Sequence, residues 1–310
     1  MSRKGIATPR YLSGYGLIEL PLSDCIERLD GVELLGGSTL RRPQMTAGSR
    51  DDAIQYLDHL TVPATRWVLF AAGARWTAVL TNLREGSDFA DRYRGIADVC
   101  RARTCRVVDK PGVRQRVGEF EVRMAYPARI FELAEPRPSV SVVVRSIAAA
   151  LDGDRWVFET SGEPLLVEER FTYDARLKRD RFTTENLNAL LASLGVAVPV
   201  AEAFASAESV WLLAEEFGAE YRSFIEAWAC TTAQADDPGF GYFNRALGWV
   251  PHMDTHAESV VWDLTKAILL SPGLAGETQP YLDEARQHLG DARFDEEAQA
   301  AEAALRKRVG

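Results

Sequence analysis

Arg66-Trp67-Val68-Leu69-Phe70, then Ala71-Ala72-Gly73-Ala74, then Arg75-Trp76-Thr77-Ala78-Val79-Leu80-Thr81-Asn82 is the stretch that decides the fold class. Both outer runs are rich in aromatic and β-branched residues, which suit a pleated, buried surface. The glycine between them supplies a turn, so the stretch predicts a β-hairpin.

Further strands follow on the C-terminal side. Cys105-Arg106-Val107-Val108 reads as a short strand, and Glu119 to Met124 alternates charged and apolar residues, one face wet and one dry. Ala128 to Leu133 is the expected partner of that second strand. Val140 to Leu151 is mostly apolar and fits a helix or a strand. Arg155 to Thr160 reads as the final strand, stopped by Ser161-Gly162-Glu163-Pro164. Helical spacing appears at Asp51 to Leu57, and at Asp88 to Cys100 with Phe89, Tyr93, Ile96 and Cys100. The order predicts an α+β fold: an antiparallel sheet with packed helices on one face over residues 1–165.

A charged connecting segment, 166–182, leads into a pattern that reads as all-helical over 183–310. Thr183 is an N-cap residue before Thr184 to Leu191, and Gly195 stops that helix. Helices are expected over Val200–Phe217, Glu220–Cys230 (with the stripe Tyr221, Phe224, Trp228) and Asp254–Leu270. Two amphipathic helices are expected in the tail, separated by Gly290.

The bulk composition narrows the function classes. A net charge of −9 over 310 residues disfavours general binding to phosphate backbones. It suits solubility, and complementarity to a basic protein partner. The four cysteines form no Cys-x-x-Cys pair, which argues against a disulfide scaffold or a zinc ribbon and for buried structural thiols. No apolar region follows the charged start and no window has the length of a membrane span, so the expectation is a cytoplasmic protein with no membrane contact.

Gly153-Asp154-Arg155-Trp156-Val157-Phe158-Glu159-Thr160-Ser161-Gly162-Glu163-Pro164 and Tyr173-Asp174-Ala175-Arg176-Leu177-Lys178-Arg179-Asp180-Arg181-Phe182-Thr183, together with Trp76 to Asn82, resemble a group of uncharacterised bacterial proteins. The resemblance covers about residues 65–196 and implies that this stretch is one structural unit. It brings no established activity. Some bacterial proteins of this kind act as immunity or accessory factors, so by analogy an immunity or regulatory role is expected.

Three local clusters carry candidate chemistry. His252, Asp254 and His256 offer imidazole and carboxylate ligands for a metal, with the two histidines one helical turn apart. The competing reading is a helix entrance, because Thr255-x-x-Glu258 has the spacing of a capping box. Arg176, Lys178, Arg179 and Arg181 form a basic segment that suits an acidic partner, although Asp174 and Asp180 within it favour a solvated, salt-bridged surface. Phe240, Tyr242, Phe243 and Trp249 lie in a glycine-containing stretch, Gly239–Trp249, that reads as an aromatic loop suited to partner contact. No nucleophile elbow or phosphate-binding loop is present. The expectation is a non-enzymatic, cofactor-free protein-binding factor. The alternative is a metal-dependent, hydrolase-like enzyme using His252, Asp254 and His256.

Overall fold

The computed structural model describes residues 13–34, 38–41, 49–61, 65–82, 90–137, 141–218, 225 and 229–307. Phe89 and the stripe Tyr221, Phe224, Trp228 lie outside the described residues. The chain forms two compact units, and the division does not follow a boundary near residue 165. One unit runs to Pro111 and resumes over Tyr126–Cys230; the other combines Gly112–Ala125 with the chain from Thr231 onward.

The first unit is built on an antiparallel sheet. Its strands are β1 (Gly14–Ile18), β2 (Glu33–Leu34), β3 (Ser38–Arg41), β4 (Arg66–Ala71), β5 (Thr77–Thr81) and β6 (Thr104–Lys110). After an excursion through β7 (Val113–Val117) and β8 (Phe120–Ala125), it continues with β9 (Ala128–Glu135), β10 (Val142–Asp152), β11 (Arg155–Gly162) and β12 (Trp211–Glu216). The ten-stranded order is β11-β10-β9-β6-β1-β5-β4-β12-β3-β2. The decisive hairpin is present as read, with Trp67 opposite Thr81 and Phe70 opposite Ala78.

Helices cover both faces of this sheet, not one. α1 (Leu22–Leu29) and α3 (Ala90–Cys100) place Cys25, Leu29, Ile96 and Cys100 against Ile18, Trp67, Leu69 and Val79. On the opposite face, α2 (Arg50–Leu57), α4 (Thr184–Ser193) and α5 (Val200–Ala205) bring Leu57, Leu187, Leu190, Leu191 and Phe204 onto Val68, Phe70, Phe131 and Ile147. The unbroken run Trp67-Val68-Leu69-Phe70 states this in sequence: successive strand residues point to opposite faces, and all four are fully buried. Each such burial is worth roughly 1.5–3 kcal/mol.

Three expected elements are corrected. Val200–Phe217 is not one helix, because after α5 the chain enters the sheet as β12 between β4 and β3. There the buried Glu215 carboxylate accepts from Trp67 Nε1 at 3.1 Å and from Ser38 Oγ at 2.5 Å, linking three neighbouring strands. Residues 183–216 therefore belong with the sheet. Finally, β8 does not pair with β9. It pairs with β7 in a separate two-stranded sheet, while β9 pairs with β6 and β10. The hairpin's Phe120 clusters instead with Leu270 and Leu305 of the second unit.

The helical signals at Thr183 and Gly290 hold. Thr183 and Asn186 form a reciprocal capping box at the start of α4. In the second unit, the chain from about 240 to 306 is helical: α6 (Thr232–Ala235) is followed by α7 (Phe240–Trp249), α8 (Met253–Leu270), α9 (Ala275–Leu289) and α10 (Asp291–Lys307), with Gly290 separating the last two. α8 is the central element; α7, α9 and α10 all pack on it. Among the described residues, no helix is long and apolar enough to cross a membrane.

One glycine of the sheet unit carries a specific constraint. Strand β10 has an irregularity between Val143 and Arg145, and Gly162 closes against it at φ +79°. A Cβ at Gly162 would lie 1.9 Å from Val144 O. Gly162→Ala combines left-handed strain with a backbone clash, and a loss of about 2 kcal/mol or more is expected in urea unfolding.

Candidate functional site

The stretch Gly239–Trp249 is a helix over most of its length rather than a loop. Asp237 Oδ1 accepts from the amides of Gly239 at 2.8 Å and Phe240 at 3.1 Å, capping the start of α7. Ser271, just after α8, donates to the same carboxylate and accepts from Gly239 N–H. Gly239 is forced here by close approach, since a Cβ would lie 2.4 Å from Ala267 O. With helical spacing imposed, Phe240 and Phe243 turn inward and are buried, while Tyr242 and Trp249 stay half-buried. The aromatic set thus splits into two core residues and two surface residues.

The surface pair joins a polar and aromatic array between α7 and α8. Arg245 holds the buried Asp263 carboxylate in a two-pronged ion pair, with Nε 2.6 Å from Oδ2. Burial and that carboxylate act oppositely on Arg245; the hydrogen bonds to Asp263 dominate and reinforce its charge. The Arg245 guanidinium lies 5.1 Å from the Tyr242 ring centre. Lys266 Nζ sits 4.1 Å from the Trp262 ring and 5.6 Å from that of Tyr242.

Next to this array, Arg245, Trp249, Glu258, Ser259, Trp262 and Glu297 line an open concavity of about 360 Å³, with Asp263 also contributing. Arg293 of α10 ties its acidic rim together. It contacts Glu258 at 3.0 Å, Glu296 at 2.8 Å and Glu297 at 3.0 Å, one cation shared among three carboxylates. Two indoles therefore stand beside an excess of negative charge. Of these residues, only Trp249 was expected from the sequence as a partner contact.

His252, Asp254 and His256 lie at the entrance to α8. The helix begins at Met253, before Thr255, so Thr255 is not its N-cap; instead its hydroxyl donates to His252 O at 3.2 Å. His256 itself departs from helical geometry, at φ −127° and ψ 17°, and kinks the helix. Its ring stacks on Trp249, with centroids 4.8 Å apart and planes 5° from parallel. His256 Nδ1 lies 2.8 Å from Thr255 Oγ1. The His252 ring is 6.2 Å away, and Asp254 is exposed. Among the described residues, no three of His, Cys, Asp and Glu converge as a metal ion requires.

The basic segment belongs to the sheet unit and is not part of this array. Arg176, Lys178 and Arg179 are exposed, and Arg179 lies 3.5 Å from Asp180. Arg181 donates to Ala175 O at 2.8 Å and lies 5.7 Å from the Phe158 ring, so it fastens its own segment. All four cysteines are buried. Burial pushes the Cys100 thiol up to about 12 and raises those of Cys25 and Cys105 as well, which keeps them protonated and poorly nucleophilic.

The sheet unit holds a second buried charge cluster. Arg145, in the interior of β10, donates from Nε to Glu168 Oε1 at 2.9 Å and from Nη2 to Oε2. Its Nη1 donates to Ser161 O and Gly162 O, both at 3.0 Å. Glu168 also accepts from Leu165 N–H at 2.8 Å and Tyr173 OH at 2.7 Å. Every partner is internal, so the cluster fastens residues 165–173 to the sheet. No family model, curated protein or solved structure matches this chain.

Proposed function

We propose that this chain is a protein-binding factor without catalysis of its own, an immunity or regulatory protein of the cytoplasm, and that its helical unit receives a basic segment of the partner. The observation that carries this reading is the concavity in which Trp249 and Trp262 stand beside Glu258 and Glu297. Indole faces attract ammonium and guanidinium groups, and tryptophans are the side chains most enriched at binding hot spots. The carboxylates supply the complementary charge. Residues 231–310 carry thirteen Asp and Glu against seven Lys and Arg, so a basic partner is steered toward this part of the chain.

The test is affinity capture of the tagged full chain from its native lysate, run beside the variant Trp249→Ala/Trp262→Ala. A stoichiometric partner with an exposed basic segment, retained by the wild type and lost by the variant, is expected. An equal yield from both, or no partner from either, would remove the reading.

Metal-dependent, hydrolase-like chemistry using His252, Asp254 and His256 is the second reading, supported by one observation: the His252 and His256 rings stand 6.2 Å apart at the entrance to α8. It predicts that chelator-treated protein takes up one equivalent of Zn²⁺ in calorimetric titration and that His252→Ala abolishes the uptake. No heat above the dilution blank would end it.

A further inference from the structure

Strand β11, eight residues long, closes one end of the ten-stranded sheet, and among the described residues no strand lies on its outer side. Asp152 and Arg155 pair across the two-residue turn Gly153-Asp154. In such a hairpin the closing pair exchanges its backbone hydrogen bonds, so Arg155, Val157 and Glu159 direct N–H and C=O toward β10. Trp156, Phe158 and Thr160 direct theirs outward. Among the described residues, no backbone group bonds to these outward groups. Proteins usually blunt a long edge with proline, lysine or a bulge. β11 contains neither proline nor lysine and pairs with β10 in unbroken register.

We infer that a second copy of this chain occupies this edge, β11 against β11, antiparallel about a two-fold axis through Val157. The inference is independent of the helical concavity and follows from register. The outward groups of Trp156 and Phe158 must pair with outward groups of the second copy, which permits only alternate registers. The one centred on Val157 sets Trp156 against Phe158 of the second copy, with both hydrogen bonds formed. It also sets Arg155 against Glu159 at each end, in the closely spaced pairs where side chains meet. Shifting the axis to Arg155 or Glu159 sets like charges opposite each other, and shifting it to Trp156 or Phe158 leaves these charges opposite neutral residues. Both charged side chains are exposed.

The test is the mass of the full chain by sedimentation equilibrium, for wild type, Arg155→Glu and Arg155→Glu/Glu159→Arg. The wild type is expected at twice 34.3 kDa. Arg155→Glu opposes two carboxylates at each end and should weaken the dimer roughly tenfold or more. The double variant restores opposite charges with the order reversed and should restore the dimer. Both sites are on the surface, so circular dichroism should show an unchanged fold in each variant. A monomeric wild type at every concentration, or a dimer indifferent to Arg155→Glu, would overturn the inference.

Discussion

Glu168→Ala is expected to lower the unfolding free energy by about 3–5 kcal/mol, seen as a drop in urea midpoint with little change in slope. The Arg145 and Glu168 side chains are 3% and 1% exposed. Removing the carboxylate strands a buried guanidinium and leaves the Leu165 amide and the Tyr173 hydroxyl without their acceptor, each an unmet polar group in a dry site. Burial pulls the Glu168 carboxyl upward, but the hydrogen bonds from Arg145, Leu165 and Tyr173 outweigh it and hold the group below its ordinary value. A folded-state value below the unfolded one means that the unfolded chain binds more protons in acid. The stabilisation is complete above the unfolded carboxylate value of about 4.3 and is lost as pH falls through the folded one. The gap in midpoint between wild type and Glu168→Gln is therefore widest near neutrality and narrows below about pH 4. A gap that stays constant down to pH 3 would show that ionised Glu168 contributes nothing specific.

Trp262→Ala is expected to weaken partner binding by about 2 kcal/mol, near 30-fold in Kd. A half-buried indole at the wall of a concavity supplies both apolar area and a face for a cation. The variant should stay folded, because Lys266 keeps a second aromatic contact in Tyr242; its thermal transition checks this. Glu258→Lys supplies an independent measure with little risk to the fold, since Glu258 is 54% exposed. Reversing that charge should slow association at low salt and matter little at high salt, where screening removes long-range steering. Unchanged association rates at low salt would contradict the charge complementarity.

The sheet was legible where local chemistry is strong. The hairpin of β4 and β5, the Thr183 cap and the Gly290 break each depend on neighbours in sequence. Tertiary placement was less so. β12 follows a helical turn, and its strand character comes from the gap it fills between β4 and β3. The alternation of Glu119 to Met124 identified a strand but not its partner, because the dry face of a hairpin carries no address. In Gly239–Trp249 the glycines read as flexibility, yet Gly239 is demanded by contact with Ala267 and the phenylalanine spacing is helical. The candidate site was barely visible, since Trp249, Trp262 and Glu297 come from three helices. Arg145 was a missed signal: an arginine inside an apolar strand requires a buried carboxylate, although sequence alone does not say which one.

Hydrogen exchange of the full chain, free and saturated with its captured partner, locates the binding surface without any substitution. Slowed exchange over 245–262 and 293–297 is the predicted result. Protection confined to the sheet unit, with those helical segments unchanged, would contradict it.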